Sequence, residues 1–304
     1  MKSRFLLPHQ LRPLGWVLAL PGFILGYFAV YKDYKIPHLG ISYWPRSVHF
    51  NGPIYQDLTN TLALTLVIIG LFFVAFAKEK KEDELTAKMR YNALYWAVLV
   101  NYSIYLLWLC ATLIIELLKL DKAPLGSFAD ILGMSIYNLF TPLLIFIARY
   151  YYLRYSSKGE YKVGKIFYLP ERPYRLMGQL ISVPLVIIVF FAFFGSLFFK
   201  GGDPEPKDWI TMLFLFLPLT LMMWGYSKRN DEDEFVSTLR LESMQLAVYV
   251  NYAILLLAHL FFYFFDFMSI MFLNRGTIAL FFVLRFNYIL WKYNTQNGKG
   301  KLAL

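Results

Sequence analysis

The chain has 304 residues, of which 58% are hydrophobic and only 16% charged, and it carries a formal net charge of +10. Soluble domains hold about 25% charged residues, and a large soluble helical core would need charged outer faces that are missing here. The composition therefore excludes a soluble globular domain and predicts an all-α polytopic bundle whose partner is the lipid bilayer. The basic excess lies in short loops beside apolar runs, where it reports topology and not a nucleic-acid partner.

Apolar runs of ~18 residues or more are long enough to cross a bilayer. The first span is expected at residues 15–31, with Pro21 inside it. Lys2, Arg4 and Arg12 precede it as in a signal peptide, but no small-residue cleavage site follows, so it reads as a retained helix. A long loop comes next, and its Tyr43, Trp44 and Tyr55 suit the headgroup level. The second span is expected at 58–77, a charged connector at 78–90, the third span at 91–118 and the fourth at 131–150. A basic stretch over 149–175 leads to spans at 176–199, 209–226, 241–265 and 268–291.

The second half repeats the first. Glu84, Arg90, Asn101 and Tyr102 recur in the same order and at the same spacing as Glu234, Arg240, Asn251 and Tyr252. Arg12, Gly15 and Pro21 recur in the same way as Arg175, Gly178 and Pro184, and Asn138 and Arg149 recur as Asn274 and Arg285. The offset between the halves changes only in loops, which tolerate insertions. Two four-helix repeats are expected, over residues 1–158 and 159–304. Of the 30 lysines and arginines, 22 fall on the side of the two termini. Basic loops stay inside, so both termini are expected in the cytoplasm, with an even number of spans, eight, and with the repeats parallel.

Several residues are candidates for a site. Glu84 with Arg90, and Glu234 with Arg240, open the third and seventh spans. Carboxylates there favour the positive end of a helix dipole and an arginine reaches the phosphate level; the alternative is a duplicated cytoplasmic docking surface for a protein partner. Asn101-Tyr102 and Asn251-Tyr252 lie about ten residues inside their spans, ~15 Å deep, where an amide must find a partner. They are read as interhelical hydrogen bonds or as the lining of a polar cavity between the repeats. Arg275 is an intramembrane charge and a candidate site residue by default; the plainer reading is that it reaches the outer headgroups and pairs with Asp266. Glu116 and His259 read as outer-interface residues.

Cys110 is the one cysteine, so no intrachain disulfide or cysteine zinc site can form. His38, His49 and Asp57 share the first outer loop without a metal-ligand spacing, and no histidine pair is placed to hold haem. No nucleotide, protease or hydrolase motif occurs. No metal, cofactor or catalytic residue is expected. The acidic EDE-x5-R element, Glu82-Asp83-Glu84 with Arg90 and Glu232-Asp233-Glu234 with Arg240, resembles one in a group of bacterial polytopic membrane proteins without an assigned activity. That resemblance implies a bacterial inner membrane. The expected role is a non-enzymatic sensory, regulatory or interaction component. The alternatives are a small-solute transporter or channel and, more weakly, a lipid-modifying enzyme.

Overall fold

The computed structural model describes residues 5–43, 54–80, 82–118, 138–156, 166–198, 208–229, 233–261 and 265–296. They form helices α1 (Leu11–Tyr31), α2 (Thr59–Phe76), α3 (Glu84–Leu118), α4 (Thr141–Ser156), α5 (Tyr174–Phe198), α6 (Asp208–Gly225), α7 (Glu234–Phe261) and α8 (Phe265–Gln296). A short antiparallel hairpin of β1 (Gly40–Tyr43) and β2 (Ile54–Asp57) pairs Gly40 with Asp57 and Tyr43 with Ile54. Among the described residues the architecture is thus helical apart from one hairpin in the first long loop. Helices α1, α2, α3, α5, α7 and α8 contain stretches long and apolar enough to cross a membrane, which makes this a multi-pass membrane-type chain.

The element boundaries follow local chemistry. Asp57 Oδ1 accepts from the Thr59 amide at 2.7 Å and opens α2. Asp83 Oδ1 accepts from the Thr86 amide at 2.7 Å, and Asp233 Oδ1 from the Val236 amide at 2.7 Å. Asp83 and Asp233 directly precede α3 and α7 as N-caps, Asp57 lies one residue before Leu58 at the start of α2, and each satisfies an orphan helix donor. Thr86 also donates its hydroxyl to Asp83, and these bonds hold the Asp83 carboxyl below its ordinary range. The caps start α3 and α7 earlier than the apolar pattern alone predicts, so Glu84 and Glu234 lie in first helical turns. At the fourth expected span, residues 131–137 lie outside the described residues, and helix begins only at Thr141. Asn138 just before it adopts φ 53°, a left-handed conformation that asparagine tolerates well. The helical part runs 16 residues to Ser156.

The chain divides into two compact units. The first holds residues 1–97, 138–162 and 252–273; the second holds 98–137, 163–251 and 274–304. In the first unit α1 packs on α2 through small residues. A Cβ on Gly15 would lie 2.6 Å from the Gly70 carbonyl oxygen, and one on Gly70 would lie 2.5 Å from the Ala19 nitrogen. Close backbone approach of this kind replaces the hydrophobic drive that lipid removes. In the second unit α5 packs on α6 at Gly178, where a Cβ would lie 2.7 Å from the Trp224 nitrogen. The opposite faces are apolar and exposed: Val17, Leu20, Ile24, Tyr27 and Phe28 on α1, and Leu180, Val183, Ile187, Phe190 and Phe191 on α5.

Candidate functional site

Helix ends leave carbonyls without intrahelical donors. At the end of α2, Leu7 brings an extended strand of backbone alongside: its amide donates to Phe76 O at 3.0 Å and its carbonyl accepts from the Lys78 amide at 2.9 Å. Arg90 reaches back from α3, with Nη1 donating to Ala75 O at 2.9 Å and Nη2 to Ala77 O at 3.4 Å. Its guanidinium lies 5.1 Å from the Tyr150 ring centre, and Nη2 also meets Glu82 Oε2 at 3.4 Å. At the end of α6 the Leu169 amide donates to Tyr226 O at 2.9 Å and its carbonyl accepts from the Lys228 amide at 2.8 Å. Arg240 Nη1 donates to Gly225 O at 2.5 Å and to Ser227 O at 3.1 Å, with the guanidinium 4.5 Å from the Tyr168 ring and 4.8 Å from that of Phe286. A guanidinium fork suits two orphan carbonyls, and its charge suits the negative end of a helix dipole.

These two arginines are buried, at 2% and 1% exposure, so neither extends outward to a phosphate layer. Their acidic companions are on the surface. Glu84 is exposed and pairs with Lys88 at 2.9 Å, and Glu234 is exposed. Six residues along a helix turn the side chain by ~120° net, which puts the acid and the arginine of each motif on different faces. The sequence motif therefore splits into an internal clamp and a surface carboxylate.

A third acidic residue organises the first unit. Glu79 Oε1 accepts from Arg12 Nη1 at 2.5 Å, Arg154 Nη1 at 2.7 Å and the Tyr150 hydroxyl at 2.9 Å. Arg12 Nε donates to the Tyr151 hydroxyl at 3.0 Å, and the Glu79 amide donates to Glu82 Oε2 at 3.0 Å. Burial opposes ionisation of Glu79. The hydrogen bonds from Arg12 and Tyr150 and the charges of Arg12 and Arg154 outweigh it and hold the carboxyl below its ordinary range. Sequence reasoning did not single Glu79 out, because it sits in a run of lysines and glutamates that reads as a solvated connector.

Several polar residues inside the spans are engaged with protein groups. Tyr102 is buried, and its hydroxyl donates to Arg275 O at 3.1 Å while accepting from the Ala279 amide at 3.2 Å. Arg275 is 6% exposed, and its guanidinium lies 5.6 Å from the Trp108 ring centre, so its side chain is interior and does not reach an outer surface. Tyr105 donates to Leu215 O at 2.7 Å. Asn251, fully buried, meets the Thr277 hydroxyl, which also lies 2.8 Å from Asn274 O and 3.0 Å from Asn274 Oδ1. One hydroxyl proton cannot serve three acceptors. It serves them one at a time, and its hydrogen bond to Asn251 Oδ1 leaves the Asn251 amide nitrogen without a protein partner. Asn101 and Tyr252 are buried, and Tyr252 sits in the first unit with its ring 6.3 Å from Phe72. Thus Tyr102 and Arg275 come together through backbone, while Asn251 is bonded to Thr277, which the sequence reading missed.

His259 is buried, and its Nε2 donates to Thr61 O at 3.1 Å. The side chains of Glu116 and Asp266, and residue His49, lie outside the described residues. Among the described residues no group of three or more metal-ligating side chains gathers. Comparison with known proteins found no matching family model, curated protein or solved structure.

Proposed function

We propose that this chain is a non-enzymatic sensory, regulatory or interaction component of a bacterial inner membrane. In this reading it crosses the bilayer eight times as two parallel four-helix repeats, with both termini in the cytoplasm. The repeat reading is supported by contacts at equal spacing: Arg90 bonds the carbonyls of residues 75 and 77, and Arg240 those of residues 225 and 227. The orientation rests on 22 of the 30 basic residues falling on one side. The exposed apolar faces of α1 and α5 suit lipid chains.

The observation that carries the interaction role is the contrast between spans and ends. Inside the spans Tyr102, Asn251, Thr277 and Arg275 bond or stack on protein groups, as interhelical polar contacts do. At the ends Glu84 and Glu234 stay exposed on first helical turns above buried clamps. That arrangement offers a carboxylate on a rigid base, suited to a basic segment of a protein partner. A photo-crosslinking residue placed at 88 or 238, one helical turn beyond the intact Glu84 and Glu234, in living cells is expected to trap a discrete protein, and Glu84→Lys with Glu234→Lys is expected to abolish the adduct. No adduct at either position contradicts the role.

A small-solute channel or transporter is the second reading. It draws on the unpartnered end of the Asn251 amide and on the interior charge of Arg275. Proteoliposomes that pass ions or small solutes, and lose the flux in Asn251→Leu, would favour it.

A further inference from the structure

Arg149 on α4 is a cation that the fold positions without neutralising. Its Nη2 donates to Asn92 Oδ1 on α3 at 3.2 Å, and its guanidinium lies 4.8 Å from the ring centre of Trp96, one turn further along α3. Among the described residues no carboxylate stands within ion-pair distance of it. Its Nε is buried without a protein acceptor, while the side chain as a whole is only half-buried and reaches outward. All three residues belong to the first unit.

Other arginines of this unit meet acids: Arg12 and Arg154 meet Glu79, and Arg90 meets Glu82. In the second half the arginine aligned with Arg149 is Arg285, which donates to Ser243 Oγ at 3.0 Å. At the aligned positions there Asn92 becomes Glu242 and Trp96 becomes Leu246. The first half thus carries an amide and a flat ring where the second carries an acid and an aliphatic chain. A ring against the guanidinium covers one face and leaves its N–H edges for acceptors. Asn92 gives its oxygen to Arg149, so the two side chains mainly offer N–H donors to anything else. Donors with a net positive charge suit an anion, and the planar fork matches the oxygens of a phosphate.

The depth agrees with that chemistry. Asn92 follows Arg90 by two residues, and Arg90 bonds carbonyls at the end of the apolar helix α2. Arg149 therefore stands near the level where a span ends, and basic pockets between membrane helices at that level take anionic headgroups. We propose that Arg149, Asn92 and Trp96 form a binding site for an anionic phosphate group of the kind that a phosphatidylglycerol headgroup carries. The site goes beyond the role proposed above and does not depend on it, since lipid binding is measured without any protein partner.

The test follows lipid retention by the full chain in detergent micelles, read by native mass spectrometry with phosphatidylglycerol or zwitterionic phosphatidylcholine added. The parent is expected to retain phosphatidylglycerol in preference, and no preference overturns the site. Arg149→Gln should hold that lipid about tenfold more weakly, as the loss of one charge-assisted hydrogen bond predicts. Lys292→Gln, which removes an equal charge from an exposed position, should hold it as the parent does. Equal retention by the parent and Arg149→Gln overturns the site, and so does an equal loss in Lys292→Gln, which marks unspecific charge attraction. If Arg149→Gln does not yield folded protein, Asn92→Asp decides instead. That near-isosteric change gives the guanidinium a counter-ion within the protein, so weaker retention supports the site and unchanged retention overturns it. Displacement of the lipid by excess inorganic phosphate shows that the phosphate group alone is recognised, and persistence of the lipid assigns the site to the whole headgroup.

Discussion

The end of α2 in the first unit and the end of α6 in the second are closed in the same way and surrounded differently. Both have an extended leucine paired with the helix end, and both have a buried arginine on two carbonyls beneath an aromatic ring. Around the first, Glu79 gathers Arg12, Tyr150 and Arg154. At the aligned positions of the second half, Glu79 becomes Arg229, Tyr150 becomes Phe286 and Arg154 becomes Leu290, while Arg175 turns to Glu171 at 2.9 Å. The clamp therefore does not need the ionic hub. Backbone acceptors and a flat cation are enough to close the helix end, and the hub is a local addition to the first unit.

The largest effect should come from the clamps. Arg240→Ala leaves two buried carbonyls orphaned and a large void, a loss on the order of 4 kcal/mol. Arg90→Ala should cost about as much if the two clamps are equivalent, as thermal unfolding in detergent will show. A loss at only one of them breaks the comparison. Gly70→Ala is next. It drives a methyl into the α1 backbone, where overpacking costs about 1–3 kcal/mol, and Gly178→Ala, with its wider gap to Trp224, should cost less.

Glu79→Gln sharpens the difference between the units, with a loss of about 2 kcal/mol from hydrogen bonds to charged groups. It also fixes a pH dependence. The folded Glu79 carboxyl lies below its ordinary value of 4.5, so its contribution is complete above that value and fades as pH falls through the folded one. Unfolding followed from neutral pH into acid should show this fall in the parent and a flatter curve in Glu79→Gln. The smallest effect is expected for Glu84→Ala. Its exposed pair with Lys88 is screened by solvent and adds little to stability, so any loss of a bound partner in this variant reports docking and not folding.

Much of the fold is legible in the sequence because membrane helices announce themselves by length and apolarity. The importance of Arg90 and Arg240 is legible as well, since a charged residue recurs at matching places. Their acceptors are not. Ala75, Ala77, Gly225 and Ser227 act through carbonyl oxygens that every residue has, so no side-chain pattern marks them. Glu79 is hidden for a related reason: among Lys78, Lys80 and Lys81 nothing separates a buried carboxylate from a solvated one until Arg12 and Tyr150 arrive from distant helices. Tyr102 shows the converse. Its depth in the span is readable, while its bonds to the Arg275 carbonyl and the Ala279 amide depend on which helix passes beside it. The β1–β2 hairpin escapes notice because its strands are four residues each and lie in a loop with few alternating positions to read.

If the two clamped helix ends are corresponding parts of parallel repeats, both face the same side of the membrane. Single cysteines at positions 84 and 234, in a Cys110→Ser chain, can be probed with a membrane-impermeant maleimide in spheroplasts and in inverted inner-membrane vesicles. Both are predicted to react only in the inverted vesicles, from the cytoplasmic side. Labelling of the two positions from opposite sides would contradict the account.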